Sequence, residues 1–141
     1  MADTFQLQVA TPERSFVDEP VSEAEIPGKD GYMGILAGHA PLLSALKPGV
    51  LTYSGGSGGQ HVLVIDGGFV EVFDNHVRVL ADAAEAAEDI QVDRARKQLD
   101  EANRNLQQAQ DSAASEAALK EMQRAQARID AAERSSGRAQ Q

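Results

Sequence analysis

Up to about residue 84 the apolar positions come in short runs with a period of two. Phe5, Leu7 and Val9 alternate with Gln6, Gln8 and Ala10, as in a strand that turns one face to a core and the other to water. Thr11-Pro12-Glu13-Arg14 ends that run, Phe16-Val17 and then Val21 to Ile26 resume it, and Pro27-Gly28-Lys29-Asp30-Gly31 is a dense turn signal. Val50-Leu51-Thr52-Tyr53 and His61-Val62-Leu63-Val64-Ile65 flank the Gly/Ser-rich segment 54–59, which predicts a hairpin with a loose tip. Phe69-Val70-Glu71-Val72-Phe73 and Val77-Arg78-Val79-Leu80 flank the turn Asp74-Asn75-His76, a further hairpin. No stretch in this part repeats every 3.6 residues. Short strands with turns this frequent predict antiparallel sheets sharing one core, a β-sandwich or flattened barrel over residues 1–84.

From Glu85 onward the period changes. Val92, Ala95, Leu99, Ala102, Leu106 and Ala109 advance alternately by three and four, and Ala118, Met122, Ala125, Ile129 and Ala132 by four and three. Two such seams predict a pair of packed helices, about 90–109 and 113–134, forming an antiparallel hairpin over residues 85–141 with a frayed C-terminus. Asp111 or Ser112 stands where the second helix needs its N-cap. Gln91 is a weak cap for the first, so Asp89 is the candidate there. Alanine at alternate seam positions lets the helices approach closely but buries little apolar area. The hairpin is therefore expected to lean on another surface, and that dependence would allow it to leave.

Composition sharpens the boundary between the two parts. All five Pro, all six Phe and Tyr, and 11 of the 12 Gly lie before residue 85. No apolar run approaches the roughly 20 residues of a membrane-spanning helix. The N-terminus lacks a positive segment followed by an apolar one, so a cytoplasmic chain without direct membrane insertion is expected. The absence of Cys removes disulfides, thiolate metal sites and thiol nucleophiles. A net charge of −9 argues against nucleic acid as a partner and favours protein.

Charge also divides unevenly: residues 1–84 hold four basic and eleven acidic side chains, residues 85–141 nine and eleven. An acidic platform thus carries a nearly balanced arm. On that arm Asp93/Lys97, Asp100/Arg104, Glu116/Lys120 and Asp130/Arg134 are acid-before-base pairs at i, i+4 that need no function. Lys120, Arg124 and Arg128, by contrast, stack like charges at i, i+4, i+8, which is unfavourable unless an acidic surface or a phosphate faces them. A solvated stripe with Glu121 beside Arg124 is the plainer alternative.

Candidate chemistry is sparse. The segment Gly34 to Leu43 is too glycine-rich for a strand interior and too apolar for an idle loop, and His39 sits within it. No motif places a carboxylate or nucleophile beside His39, and His61 and His76 are isolated, so neither acid-base catalysis nor metal binding is expected. His39 reads as a structural or interface residue. Gly67-Gly68 lacks the spacing of a phosphate-binding loop and reads as a bend between strands. No catalytic residue and no metal ligand is assigned.

The run Gly31-Tyr32-Met33-Gly34-Ile35-Leu36-Ala37-Gly38-His39-Ala40-Pro41-Leu42-Leu43 is followed by Lys47-Pro48-Gly49, Gly67-Gly68-Phe69-Val70-Glu71-Val72 and Val77-Arg78-Val79-Leu80-Ala81. In order and spacing this chain resembles the epsilon subunit of bacterial F-type ATP synthase. The resemblance implies an all-β plus α fold, with an N-terminal ten-stranded β-sandwich followed by a C-terminal antiparallel two-helix hairpin. It implies a non-catalytic place in the central stalk, peripheral to the cytoplasmic face of the bacterial inner membrane. The loop Gly38, His39, Ala40, Pro41 would then meet the gamma subunit, and the turn Lys29, Asp30, Gly31, Tyr32 the c-ring. The hairpin would reach the alpha and beta catalytic subunits and restrain ATP hydrolysis.

No cofactor is required by such a role, but some bacterial relatives bind ATP on the hairpin as a regulatory ligand. Their pattern, [IL]-D-x-x-R-A on the first helix and R-A-x-x-R on the second, maps here onto Ile90 to Ala95 and Arg124 to Arg128. The positions carried over are Glu85, Arg94, Ala95, Arg124 and Arg128. Gln91 stands in place of the acid, and Glu101 where the relatives have an arginine.

Overall fold

The computed structural model describes residues 3–55 and 59–139, with side chains as far as Ser136. The tip expected at 54–59 lies partly outside the described residues, and the second helix continues to Ala139, past 134, where the fraying is expected to begin. The strands are β1 (Phe5–Ala10), β2 (Ser15–Gly28), β3 (Gly31–Leu36), β4 (Leu42–Ala45), β5 (Gly49–Gly55), β6 (Gln60–Phe73) and β7 (His76–Ala86). A 3-10 turn (Ala87–Asp89) leads to helices α1 (Val92–Gln108) and α2 (Ser112–Ala139).

Among the described residues, seven continuous strands replace the ten implied by the resemblance, because long strands turn corners instead of ending. β2 pairs with β1 through residues 15–21, then with β5 and β3 through residues 21–28, and its register against β5 shifts between Val21 and Glu23. β6 pairs with β5 as far as Ile65 and with β4 from Phe69 onward. One strand so serves both layers, bending at a register shift or at glycine without losing its ladder. At the β6 corner Gly68 has φ +107°, and a Cβ there would lie 2.1 Å from the carbonyl oxygen of Leu80. Only glycine lets β6 lie against β7 at that point.

The sheet order β1-β7-β6-β5-β2 closes through a β1–β2 pairing, with β3 added to β2 and β4 to β6. Among the named pairings β1–β7 is parallel and the rest antiparallel. Leu7, Ile26, Ile35, Leu51, Ile65 and Val70 fill the interior with side chains almost wholly removed from water.

The run Val62-Leu63-Val64-Ile65 is apolar on both faces of β6, and both faces are buried. Leu63 and Ile65 point into the core, while Val62 and Val64, with Val50 of β5, face outward under Ala127 and Ala131 of α2. The hairpin therefore rests on the outside of the sandwich. Its own seam buries Ala95 and Ala102 of α1 against Ala118, Ala125 and Ile129 of α2. Asp111 caps α2, its Oδ1 accepting from the Ala114 N–H at 2.7 Å. Asp89 does not cap α1: it ends the 3-10 turn, whose Ala87 carbonyl accepts from the Ile90 N–H at 3.2 Å, and Gln91 takes the cap position without a side-chain bond. Ile90 packs against the valine patch, which fixes where the turn must end and the helix begin.

Candidate functional site

Three groups of candidate residues occupy three places, and β3 separates the first two. The turn Lys29-Asp30 joins β2 to β3, with Gly28 opposite Gly31, and the loop Gly38 to Pro41 joins β3 to β4. Six residues of strand put the two groups roughly 20 Å apart, at opposite ends of the sandwich. At the turn, the Lys29 N–H donates to the Ala45 carbonyl at 2.9 Å, and the Tyr32 hydroxyl accepts from the Val50 N–H at 3.0 Å. The Lys47 ammonium lies 5.4 Å from the Tyr32 ring centroid. Tyr32 is thus anchored at its tip while leaving one face to solvent.

At the other end, Gly38 has φ +81° and its N–H donates to Asn75 Oδ1 at 2.8 Å. His39 Nδ1 lies 2.7 Å from the Ala40 carbonyl. His76 stacks on Phe73 and His61 on Tyr53, so the three histidines stand apart. Burial pushes the Tyr53 hydroxyl above its ordinary pKa, with Glu19 and Glu88 adding to the rise. Among the described residues no three His, Cys, Asp or Glu side chains stand close enough to hold a metal ion.

The third group lies under the arm. Arg124, Ala127, Arg128 and Ala131 are spaced i, i+3, i+4, i+7 and form one face of α2, the face against the sandwich. Arg124 Nε sits 2.8 Å from Asp66 Oδ2, and the same guanidinium pairs with Glu121. The pairing with Asp66 is the chief reason that its pKa lies above the ordinary arginine value, burial opposing. Arg128 donates from Nε to Glu85 Oε2 at 3.3 Å and from Nη1 to Gln98 Oε1 at 3.1 Å. The acidic surface that the stripe requires is the chain's own platform. Lys120, one turn earlier, makes no ion pair among the described residues.

Of the five positions matched to the nucleotide pattern, Glu85, Arg94, Ala95 and Arg128 line one cleft, together with Gln91 and Gln98. Arg124 does not; it is drawn away by Asp66. The cleft holds about 230 Å3, below the roughly 300–1,000 Å3 of ordinary small-molecule sites. A groove of about 350 Å3 between β2, β3 and β5 shares no residue with any of the three groups. Sequence reasoning missed Asp66, Val50, Val62 and Val64, although an uninterrupted apolar run ending in an acid was the available signal.

A closed strand barrel with a helical arm clipped to its outer face and two exposed loops at opposite ends is an architecture suited to making contacts with other proteins. Residues 4–87 match the family described as ATP synthase, Delta/Epsilon chain, beta-sandwich domain. The ATP synthase epsilon chain of Solibacter usitatus is 52% identical over 104 residues, 74% of this chain and 77% of that one. The epsilon chain of Nitratidesulfovibrio vulgaris is 43% identical over 129 residues, 92% of this chain and 96% of its own length. A chain in the mitochondrial ATP synthase of Euglena gracilis superimposes with a TM-score of 0.81 at 28% identity, covering 92% of this chain and 81% of that one. The chain belongs to the ATP synthase epsilon family, non-catalytic subunits of the rotary complex.

Proposed function

We propose that this subunit couples the c-ring to the gamma subunit in the central stalk and restrains ATP hydrolysis through its helical arm. On this reading the Lys29 to Tyr32 turn meets the c-ring, the Gly38 to Pro41 loop meets gamma, and the arm, once lifted, reaches the alpha and beta subunits. The subunit is then peripheral to the cytoplasmic face of the inner membrane and takes part in proton-driven ATP synthesis. No helix among the described residues is long and apolar enough to cross a membrane, which fits attachment through partners.

The observation that carries the restraint is the construction of the arm's resting place. Two alanines and two arginine–carboxylate pairs hold it on a patch of three valines, a contact weak enough to open. Removing residues 90–141 from the assembled enzyme should raise ATP hydrolysis while leaving assembly intact. Unchanged hydrolysis with normal assembly would remove the restraint from the proposal and leave the coupling.

A second reading, regulation by ATP bound to the arm, draws support from Glu85, Arg94, Ala95 and Arg128 meeting in one cleft. Against it stand Gln91, Glu101 and the commitment of Arg128 to Glu85 and Gln98. Calorimetric titration of the chain with Mg-ATP decides between them: heat that disappears in Arg128→Ala supports the site, and no heat rejects it.

A further inference from the structure

The β6–β7 turn holds a side chain whose bonds reach beyond the turn. Phe73 pairs with His76, leaving Asp74 and Asn75 as a two-residue hairpin loop, and both have positive φ, +43° and +60°. Turns of this shape favour Gly at the second position, where any side chain carries some strain. Asn75 occupies it instead, and both ends of its side-chain amide are engaged. Oδ1 accepts from the Gly38 N–H at 2.8 Å, and Nδ2 donates to the Thr4 carbonyl at 2.7 Å. The Asn75 carbonyl also accepts from the Gln6 N–H at 3.1 Å. One residue thereby ties the chain's beginning, the β3–β4 loop and the β6–β7 turn into a single surface enclosing a cleft of about 500 Å3.

Gly38 is the residue of the Gly38 to Pro41 loop that most needs such a tie. It lies at φ +81° with no heavy atom within 4 Å of where a Cβ would be, so packing does not hold it. The neighbouring bond, His39 N–H to the Leu36 carbonyl at 3.2 Å, closes a local turn on the end of β3 and reaches no other strand. We infer that Asn75 is a positioning residue for the partner-binding loop. It gives up the easier glycine backbone so that its amide can set where Gly38, His39 and Pro41 stand. This rests on the reading of that loop as the gamma contact, and it adds the part of the sandwich that aims it.

Two substitutions separate the amide's roles while keeping a residue that tolerates positive φ. Asn75→Gly preserves the turn and deletes both side-chain bonds. Asn75→Asp keeps the acceptor for Gly38 and loses the donor to Thr4. In the full chain, amide exchange at Gly38 should quicken in Asn75→Gly and return toward the parent rate in Asn75→Asp. Titrated onto the catalytic complex lacking this subunit, Asn75→Gly should bind gamma about five- to tenfold more weakly, the loss expected for about one net hydrogen bond. Asn75→Asp should bind within about twofold of the parent, on the same scale.

Unchanged Gly38 exchange in Asn75→Gly would overturn the inference whatever gamma does. His39→Ala and Pro41→Ala test the underlying reading separately. If they weaken binding and Asn75→Gly does not, the loop is the contact and Asn75 does not position it. If quickened exchange leaves binding unchanged in all three, the loop is not the gamma contact, and the functional role assigned to Asn75 falls with that reading.

Discussion

The two faces of β6 bury valines and isoleucine against very different neighbours. Toward the core, Leu63 and Ile65 meet Leu7, Ile26 and Leu51, large branched side chains with almost no exposure. Loss of one such side chain to alanine costs about 2–5 kcal/mol. Toward the arm, Val62 and Val64 meet Ala127 and Ala131, flanked by Arg124–Asp66 and Arg128–Glu85. The arginine side chains are 36% exposed and the acids 27% and 37%, so each pair contributes about 1 kcal/mol or less. Alternation along one strand thus gives a strong contact on one side and a weaker one on the other. Side-chain size sets the difference, since both faces are apolar.

The largest effect is expected from Gly68→Ala, which would drive a methyl into the Leu80 carbonyl and unseat the β6 corner. A loss of about 4 kcal/mol should lower the denaturant midpoint of the whole sandwich. A near-normal midpoint would mean that the corner can open and that the core is less rigid than the contrast requires. Next comes Ala131→Leu, which adds three carbons at a fully buried site and should cost about 2 kcal/mol at the dock alone. Helical signal should then melt before sheet signal. A single shared transition would make both faces one cooperative unit.

A smaller effect belongs to the ion pair. A double-mutant cycle on Arg124→Ala and Asp66→Ala should give a coupling of at most about 1 kcal/mol, fading with added salt. Because Arg124 is held above the ordinary arginine pKa, it stays cationic at every working pH. The smallest effect is alkaline. Tyr53 is raised above 10, so the unfolded chain loses its phenolic proton first, and Tyr53 destabilises the fold only as pH climbs past 10. Tyr53→Phe should flatten the alkaline limb of the stability profile and leave it unchanged near neutrality.

Much of this architecture was legible from spacing alone. The period of two marked most strand cores, since Leu7, Val17, Ile26, Val70 and Val79 each fall on the buried parity. The alternating three-four steps marked the seam between the helices, and Asp111 marked the cap. What escaped was long-range. A turn signal does not reveal whether a strand stops or bends into the other layer, so the breaks in the apolar pattern before Val21 and after Ile65 do not show that β2 and β6 run on through them. Helical spacing puts Arg124 and Arg128 on one face with Ala127 and Ala131 but does not say that this face is the docked one, because alanine belongs equally well to seam, dock or solvent. Asp66 had no local distinction; its partner lies 58 residues away and is brought close only when α2 lies on β6.

The outward valines of β5 and β6 set a condition on the company the subunit keeps. With α2 lifted, Val50, Val62 and Val64 form a bare apolar stripe on a sheet, the kind of surface that draws one copy to another. A free subunit with its arm raised would be prone to clump, whereas one surrounded by larger neighbours would be protected. On the proposed reading the arm is therefore a cover for its own strand as well as a lever, and raising it is safest after assembly.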